Sequence, residues 1–207
     1  MSDADLLVIA DPGVEGSALI FDLATSVSDN VIWLASEPAF TIKNIIFAHD
    51  YSPDKFTIFT TKQIEGFSFA NLMNLNEISI GISKATAGLK DFSMIITLLP
   101  ELLLIHGLEK TYMFMLNTMW KIHNQNGRIL CLLTRGAQPE RDEIIMGRLF
   151  AIVLNLIRRF SERTFERYIL LETPVESVKE DVFPVTTEGY KTVIPPALKH
   201  KLVEILK

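Results

Sequence analysis

The chain has 207 residues, 48% of them hydrophobic and 22% charged, with a formal net charge of −5. This is close to ordinary globular usage at a length that supports one large core. A single cysteine, Cys131, excludes a disulfide framework and speaks against structural zinc, and the apolar runs Ile95–Leu99 and Leu102–Ile105 are broken by Pro100 and Glu101, short of a membrane span. In chain order, the first predicted strand is Leu6–Ala10, followed by a Pro12-Gly13 turn and a helix over Ser17–Val27. Further strands are predicted at Val31–Ser36, Phe56–Thr60, Ser93–Leu98 and Ile129–Thr134, with helices at Thr41–Phe47, Phe69–Leu89 and Glu109–Asn124 between them. The strands read as continuous apolar runs, as burial on both faces requires, and their alternation with helices predicts a mainly parallel sheet covered on both sides. Beyond Thr134 the pattern changes. A polar stretch 135–147 is read as a loop with a short helical turn, and strands follow at Leu149–Ile157 and Tyr168–Leu171. Phe183–Val185 and Tyr190–Val193 flank Thr186-Thr187-Glu188-Gly189, which reads as a hairpin turn. Pro195-Pro196 opens a terminal helix, Ala197–Leu206. The expected organisation is one domain over 1–207: an α/β core over 1–134, C-terminal strands and hairpin over 135–194, and the terminal helix over 195–207.

In such a sheet, ligands bind at the carboxyl ends of the strands, which brings Ala10–Ser17, Ser36-Glu37 and Thr97-Leu98 to one edge. The segment after the first strand stands where a phosphate-binding loop would sit, with Gly-x-x-x-x-Gly-Lys-[Ser/Thr] opening the helix. Its residues do not supply that motif. In register, Ala10 replaces the first glycine, Glu15 the second and Gly16 the lysine; only Ser17 fits, and the first lysine of the chain is Lys43. Two like charges about 4 Å apart at an effective dielectric near 20 repel by roughly 4 kcal/mol, so an inward Glu15 would oppose any phosphate there. Gly13 and Gly16 still offer backbone N–H groups to an anion.

Charge is distributed unevenly. Residues 1–127 carry −7, the segment 128–167 holds all eight arginines and carries +3, and the last forty residues carry −1. The simplest role of the arginine block is a solvated face paired with nearby acids; its functional alternative is bidentate binding of phosphate or carboxylate. The histidines, His49, His106, His123 and His200, lie too far apart in sequence to suggest a metal site. No Ser-His-Asp or Cys-His arrangement follows from spacing. Within Glu109–Asn124, the residues Tyr112, Met113, Phe114, Met115, Met119 and Trp120 form either core or an interface.

Strand, loop, helix and a second strand ending in an acid resemble the RecA superfamily, and within it the KaiC-like ATPases of archaeal type. Four segments carry the resemblance: Ala10–Ser17 at the Walker A position, Trp33-Leu34-Ala35-Ser36-Glu37 at the second strand, Ser93-Met94-Ile95-Ile96-Thr97 at the Walker B strand, and Phe183–Val193 at the C-terminal hairpin. The resemblance implies a RecA-like P-loop NTPase fold. Of the family's functional positions Ser17 and Glu37 match, the latter as the activator of water, while Gly16 and Thr97 stand in place of the lysine and the magnesium-associated aspartate. The expected function is therefore a catalytically inactive RecA/KaiC-like subunit that binds, regulates or builds through protein–protein contacts. It has no catalytic residue, metal or cofactor, and its remnant nucleotide pocket is made of Pro12, Gly13, Glu15, Gly16, Ser17, Glu37 and Thr97. Arg135, Arg141, Arg148, Arg158 and Arg159 are the expected interface or phosphate contacts. The expected partner is a second copy or an active RecA-like ATPase paralogue. A non-canonical nucleotide binder or ATPase, and a nucleic-acid-binding recombination accessory protein, are the alternatives. No membrane contact is expected, and the acidic N-terminus, unlike a signal or transit peptide, predicts a cytoplasmic protein.

Overall fold

The structure is a computed structural model that describes residues 4–161, 164–172 and 182–207. Among the described residues, ten strands form one sheet in the order β10-β9-β8-β7-β1-β6-β5-β2-β3-β4. Its parallel part comprises β1 (Leu6–Ala10), β2 (Asn30–Ala35), β3 (Thr57–Thr60), β4 (Ser68–Phe69), β5 (Phe92–Ile96), β6 (Arg128–Thr134) and β7 (Ile152–Ser161). From β7 onward the sheet is antiparallel, through β8 (Thr164–Leu171), β9 (Val182–Glu188) and β10 (Lys191–Val193). The helices are α1 (Glu15–Val27), α2 (Ala39–Ala48), α3 (Leu75–Ala85), α4 (Leu99–His123), α5 (Glu140–Gly147) and α6 (Pro196–Leu206).

The continuous apolar strands have the predicted cause. Leu6, Val8 and Ala10 of β1 enter one core cluster with α1, α2 and α6, while Leu7 and Ile9 enter a second with α3, α4 and Met146 of α5. A side-chain period of two divides each run between two covered faces, so every position is apolar. Trp33 and Phe21 stack at 5.5 Å between ring centres in the first cluster and are both fully buried. Each such side chain contributes roughly 1.5–3 kcal/mol by burial.

Several boundaries differ from the sequence reading; the strand expected from Leu149, for one, begins at Ile152. The helix expected over Phe69–Leu89 spans only Leu75–Ala85, and Ser68–Phe69 adds a short edge strand to β3 instead. Asn74 decides the helix start: its side chain accepts from the backbone N–H groups of Asn76 and Glu77 at 3.1 and 3.3 Å, and its amide donates to Glu77. That N-cap outweighs the apolar residues upstream. The helix expected at Glu109–Asn124 begins at Leu99, with a break at Gly107, whose φ of 75° an L side chain rarely adopts. Within α4, Phe114, Met115 and Met119 are core, while Met113 and Trp120 are exposed and Tyr112 is half-buried. The C-terminal turn lies at Gly189-Tyr190, because Thr186, Thr187 and Glu188 stay in β9 opposite β10 and Gly189 supplies the positive φ. Strands β7 and β8 are also longer toward their shared end than Leu149–Ile157 and Tyr168–Leu171 suggested, reaching Ser161 and Thr164. No described helix is long and apolar enough to cross a membrane.

Candidate functional site

The carboxyl ends of β1, β2 and β5 bring the expected loop, Glu37 and Thr97 together. After β1 the chain turns at Asp11–Val14 and enters α1 at Glu15. Two arginines pin this loop. Arg158 donates from its backbone N–H to Asp11 Oδ2 at 2.6 Å and from Nη2 to the Pro12 carbonyl at 2.7 Å. Arg135 lies 3.2 Å from Asp11 Oδ1 through Nε and donates through Nη2 to the buried Asn155.

Glu15 points inward. Its carboxylate folds back over the turn, so that a Cβ placed on Gly13 would collide with Glu15 Oε2. Arg167 Nε donates to Glu15 Oε1 at 2.9 Å, and Arg158 Nη1 stands 3.8 Å from the same oxygen. Thr192 of β10 donates to the Glu15 carbonyl at 2.9 Å, which fixes the first turn of α1 from outside. Between loop and hairpin, Asp11, Glu15, Leu156, Ile157, Arg158 and Arg167 leave a cavity of only about 10 Å³. That is about the room of a single water.

Beside this plug the neighbouring positions are also engaged. Ser17, buried at the start of α1, donates its hydroxyl to Glu37 Oε1, and Thr97 donates to Glu37 Oε2 at 2.6 Å. Trp33 Nε1 donates to Thr97 Oγ1 at 3.1 Å and holds that hydroxyl in place. One carboxylate thus ties together the two hydroxyls that the resemblance associates with magnesium. Gly16 is buried against the sheet: a Cβ there would lie 2.7 Å from Leu132 Cδ1 and 2.9 Å from the Ala10 methyl. Among the described residues, no three His, Cys, Asp or Glu side chains cluster as a metal site. The Cys131 thiol is buried on β6 and its pKa is pushed well up, chiefly by that burial, so it is an unreactive core group.

Glu101, in the first turn of α4, adds a second carboxyl near Glu37. Burial first, and then the charge of Glu37, raise its pKa above the ordinary 4.5, and its Oε2 is buried without a hydrogen-bond partner. The folded protein therefore holds this proton more tightly than the unfolded chain. The stability linked to it is fully present below about pH 4.5 and is lost as pH rises through the higher folded-state value. Glu101→Gln is accordingly expected to raise the melting temperature at neutral pH, with the gain vanishing in acid. Thermal unfolding of both proteins across that range checks the sign.

Of the arginines expected to contact phosphate or a neighbour, Arg135 and Arg158 reach the loop. Arg141 and Arg148 are exposed around α5, and Arg159 points to the opposite side of the hairpin from Arg158. Arg135, Arg158 and Arg167 pair with acids of the N-terminal loop and Arg128 with Asp91, none of them a neighbour in sequence. Arg167, which holds Glu15, is the residue of this candidate site that the sequence reading missed. It stands opposite Arg158 in the β7–β8 register, a signal that appears only once the hairpin is drawn to its full length.

No family model matches the chain, and no curated protein matches it by sequence. Solved structures do. A KaiC-like protein from the hyperthermophilic archaeon Pyrococcus horikoshii OT3 superposes with a TM-score of 0.73 at 12% identity, covering 94% of this chain and 91% of that one. The flagellar accessory protein FlaH from Methanocaldococcus jannaschii gives 0.68 at 8% identity, over 94% and 90% of the two chains. At such identities the likeness speaks for architecture, and it agrees with the strand order and the C-terminal antiparallel strands: the chain has a RecA-like fold.

Proposed function

We propose that this protein is a RecA/KaiC-like subunit without ATPase activity, which acts through contacts with a second copy or with an active RecA-like ATPase. The observation that carries the reading is the Glu15 carboxylate, seated over Gly13 and held by Arg167 and Arg158. In a working loop, N–H groups and a lysine surround the phosphates, and a Ser/Thr hydroxyl reaches magnesium. Here a side-chain anion takes the phosphate's place, two arginines neutralise that anion, and Glu37 engages the Ser17 and Thr97 hydroxyls. The scaffold is kept and the chemistry is absent, which leaves recognition as its use. The same ion pairs weigh against nucleic-acid binding by this part of the arginine block, because Arg158 and Arg167 already face a carboxylate.

Calorimetric titration with ATP and ADP, with and without magnesium, tests the proposal. No saturable heat at millimolar nucleotide is expected, corresponding to a binding free energy weaker than about −4 kcal/mol. Micromolar binding would overturn it in favour of a non-canonical nucleotide binder, with Glu37→Gln then the first variant to assay for hydrolysis.

A further inference from the structure

A second concavity lies between the C-terminal half of α1, the end of α2, and β10 with the start of α6. Its volume of about 370 Å³ is within the range of small-molecule sites. The polar groups of its wall are mostly acceptors. Thr25 Oγ1 donates to the Phe21 carbonyl at 2.9 Å and Ser26 Oγ to the Asp22 carbonyl at 2.7 Å, so both hydroxyls spend their hydrogen on their own helix and turn lone pairs outward. His49 Nδ1 meets the Ile45 carbonyl at 2.8 Å; a carbonyl only accepts, so Nδ1 carries the hydrogen and the neutral ring presents Nε2 as an acceptor. That Nε2 stands 3.9 Å from Asp22 Oδ1, and the two side chains are only 8% and 20% exposed. Two mostly buried acceptors thus face each other at a spacing that one nitrogen with two N–H groups bridges. Lys199 Nζ reaches both Asp22 oxygens, at 2.8 and 2.7 Å, without exhausting their roughly four lone-pair directions. Nearer solvent, Lys191 Nζ lies 3.6 Å from Asp50, whose side chain is 92% exposed. Such a surface pair is worth no more than about 1 kcal/mol and yields to a better-placed carboxylate.

We propose that this pocket binds a free amino acid, a small zwitterion whose ammonium sits between Asp22 and His49 Nε2 and whose carboxylate meets Lys191. Both charges are needed. A bare amine would bring a cation toward Lys191 and Lys199 with nothing to offset it. A polyanion would meet the Asp22 carboxylate and has no hydrogen to give to Thr25, Ser26 or His49. In the zwitterion the charges alternate along the pocket: Lys199, Asp22, ammonium, carboxylate, Lys191. Each charged group then stands beside one of opposite sign. Val193 and the buried Ile194 add apolar wall, which suits an aliphatic or aromatic side chain on the ligand. The site goes beyond the reading of the protein as a binding subunit, because it adds a small-molecule ligand and draws on none of the acids and arginines at the closed loop.

Saturation-transfer NMR on the full chain, with alanine, valine, leucine, methionine and phenylalanine added singly at millimolar concentration, tests the assignment. At least one is expected to give a saturable signal. Its deaminated and decarboxylated analogues, isocaproate and isopentylamine in the case of leucine, should each bind about tenfold more weakly or worse. Asp22→Asn and Lys191→Met are each expected to weaken the amino acid by about tenfold as well. Asp22→Asn also disturbs the Lys199 pair, whereas Lys191 lies on the edge strand β10 with a side chain 34% exposed, so its variant carries the test if the other fails to fold. No saturable signal from any of the five, analogues that bind as tightly as their parent, or a folded Lys191→Met protein that binds like wild type would each overturn the assignment. Glu15 takes no part in this pocket, so failure here leaves the closed-loop reading standing.

Discussion

Glu15→Ala is expected to turn a loop that rejects anions into one that binds them. The variant removes a negative charge from over Gly13 and vacates the space its carboxylate fills, leaving the N–H groups of the first turn of α1 to face an incoming anion. Arg158 and Arg167 lose their shared partner at the same time and become available to that anion. At a separation of about 4 Å and an effective dielectric near 20, the relieved repulsion is roughly 4 kcal/mol, close to a thousandfold in affinity. Calorimetry with pyrophosphate should therefore show binding by the variant where the wild type shows none, and added salt should weaken it. Glu15→Gln separates the two causes, because it removes the charge and keeps the bulk; its affinity should fall between the others. The change also costs stability, about 1.5–3 kcal/mol for hydrogen bonding to a charged group, so unfolding of the variant must be measured alongside. A folded Glu15→Ala protein that still ignores pyrophosphate would mean that loop geometry, not the glutamate, closes the site.

The parallel half of the molecule was legible because burial on both faces writes itself into sequence as unbroken apolar runs. Strand β1 was predicted to its exact limits, and β2, β3, β5 and β6 lay within a residue or two at each end. Convergence of Ser17, Glu37 and Thr97 followed from the rule that strand ends share an edge, and their hydrogen bonds bear this out. What remained hidden was the partnership of Glu15. Arg167 lies 152 residues away and reaches Glu15 only because the β7–β8 register sets it opposite Arg158. Antiparallel register is specified by burial of one face, and the far end of this hairpin carries Arg158, Arg159, Phe160 and Phe165, whose pattern marks no buried face. Local chemistry also misled at α3, where an asparagine cap overrode hydrophobic periodicity.

Restoring the missing lysine is expected to fail. Gly16→Lys places a Cβ 2.7 Å from Leu132 Cδ1 and 2.9 Å from the Ala10 methyl, so α1 must lift from β1 and β6 before the rest of the side chain finds room. The smaller change Gly16→Ala sets two effects against each other. Helix propensity favours alanine by about 0.8–1 kcal/mol, while overpacking a tight core costs about 1–3 kcal/mol, so the net change is a modest destabilisation. Lysine adds a longer stem and a charge that must be driven out of the contact, and a loss above about 3 kcal/mol follows. For a chain of this size that is a fall of roughly 6–12 °C in melting temperature. Nucleotide titration of any folded Gly16→Lys protein should stay blank, since Glu15 still covers Gly13 and would pair with the new ammonium. A variant as stable as wild type that binds ATP at micromolar concentration would overturn this account. The close approach of α1 to the sheet relies on glycine at position 16, and the seat of Glu15 on glycine at position 13. The closed loop is thus a packed arrangement in its own right, which a single motif residue cannot reopen.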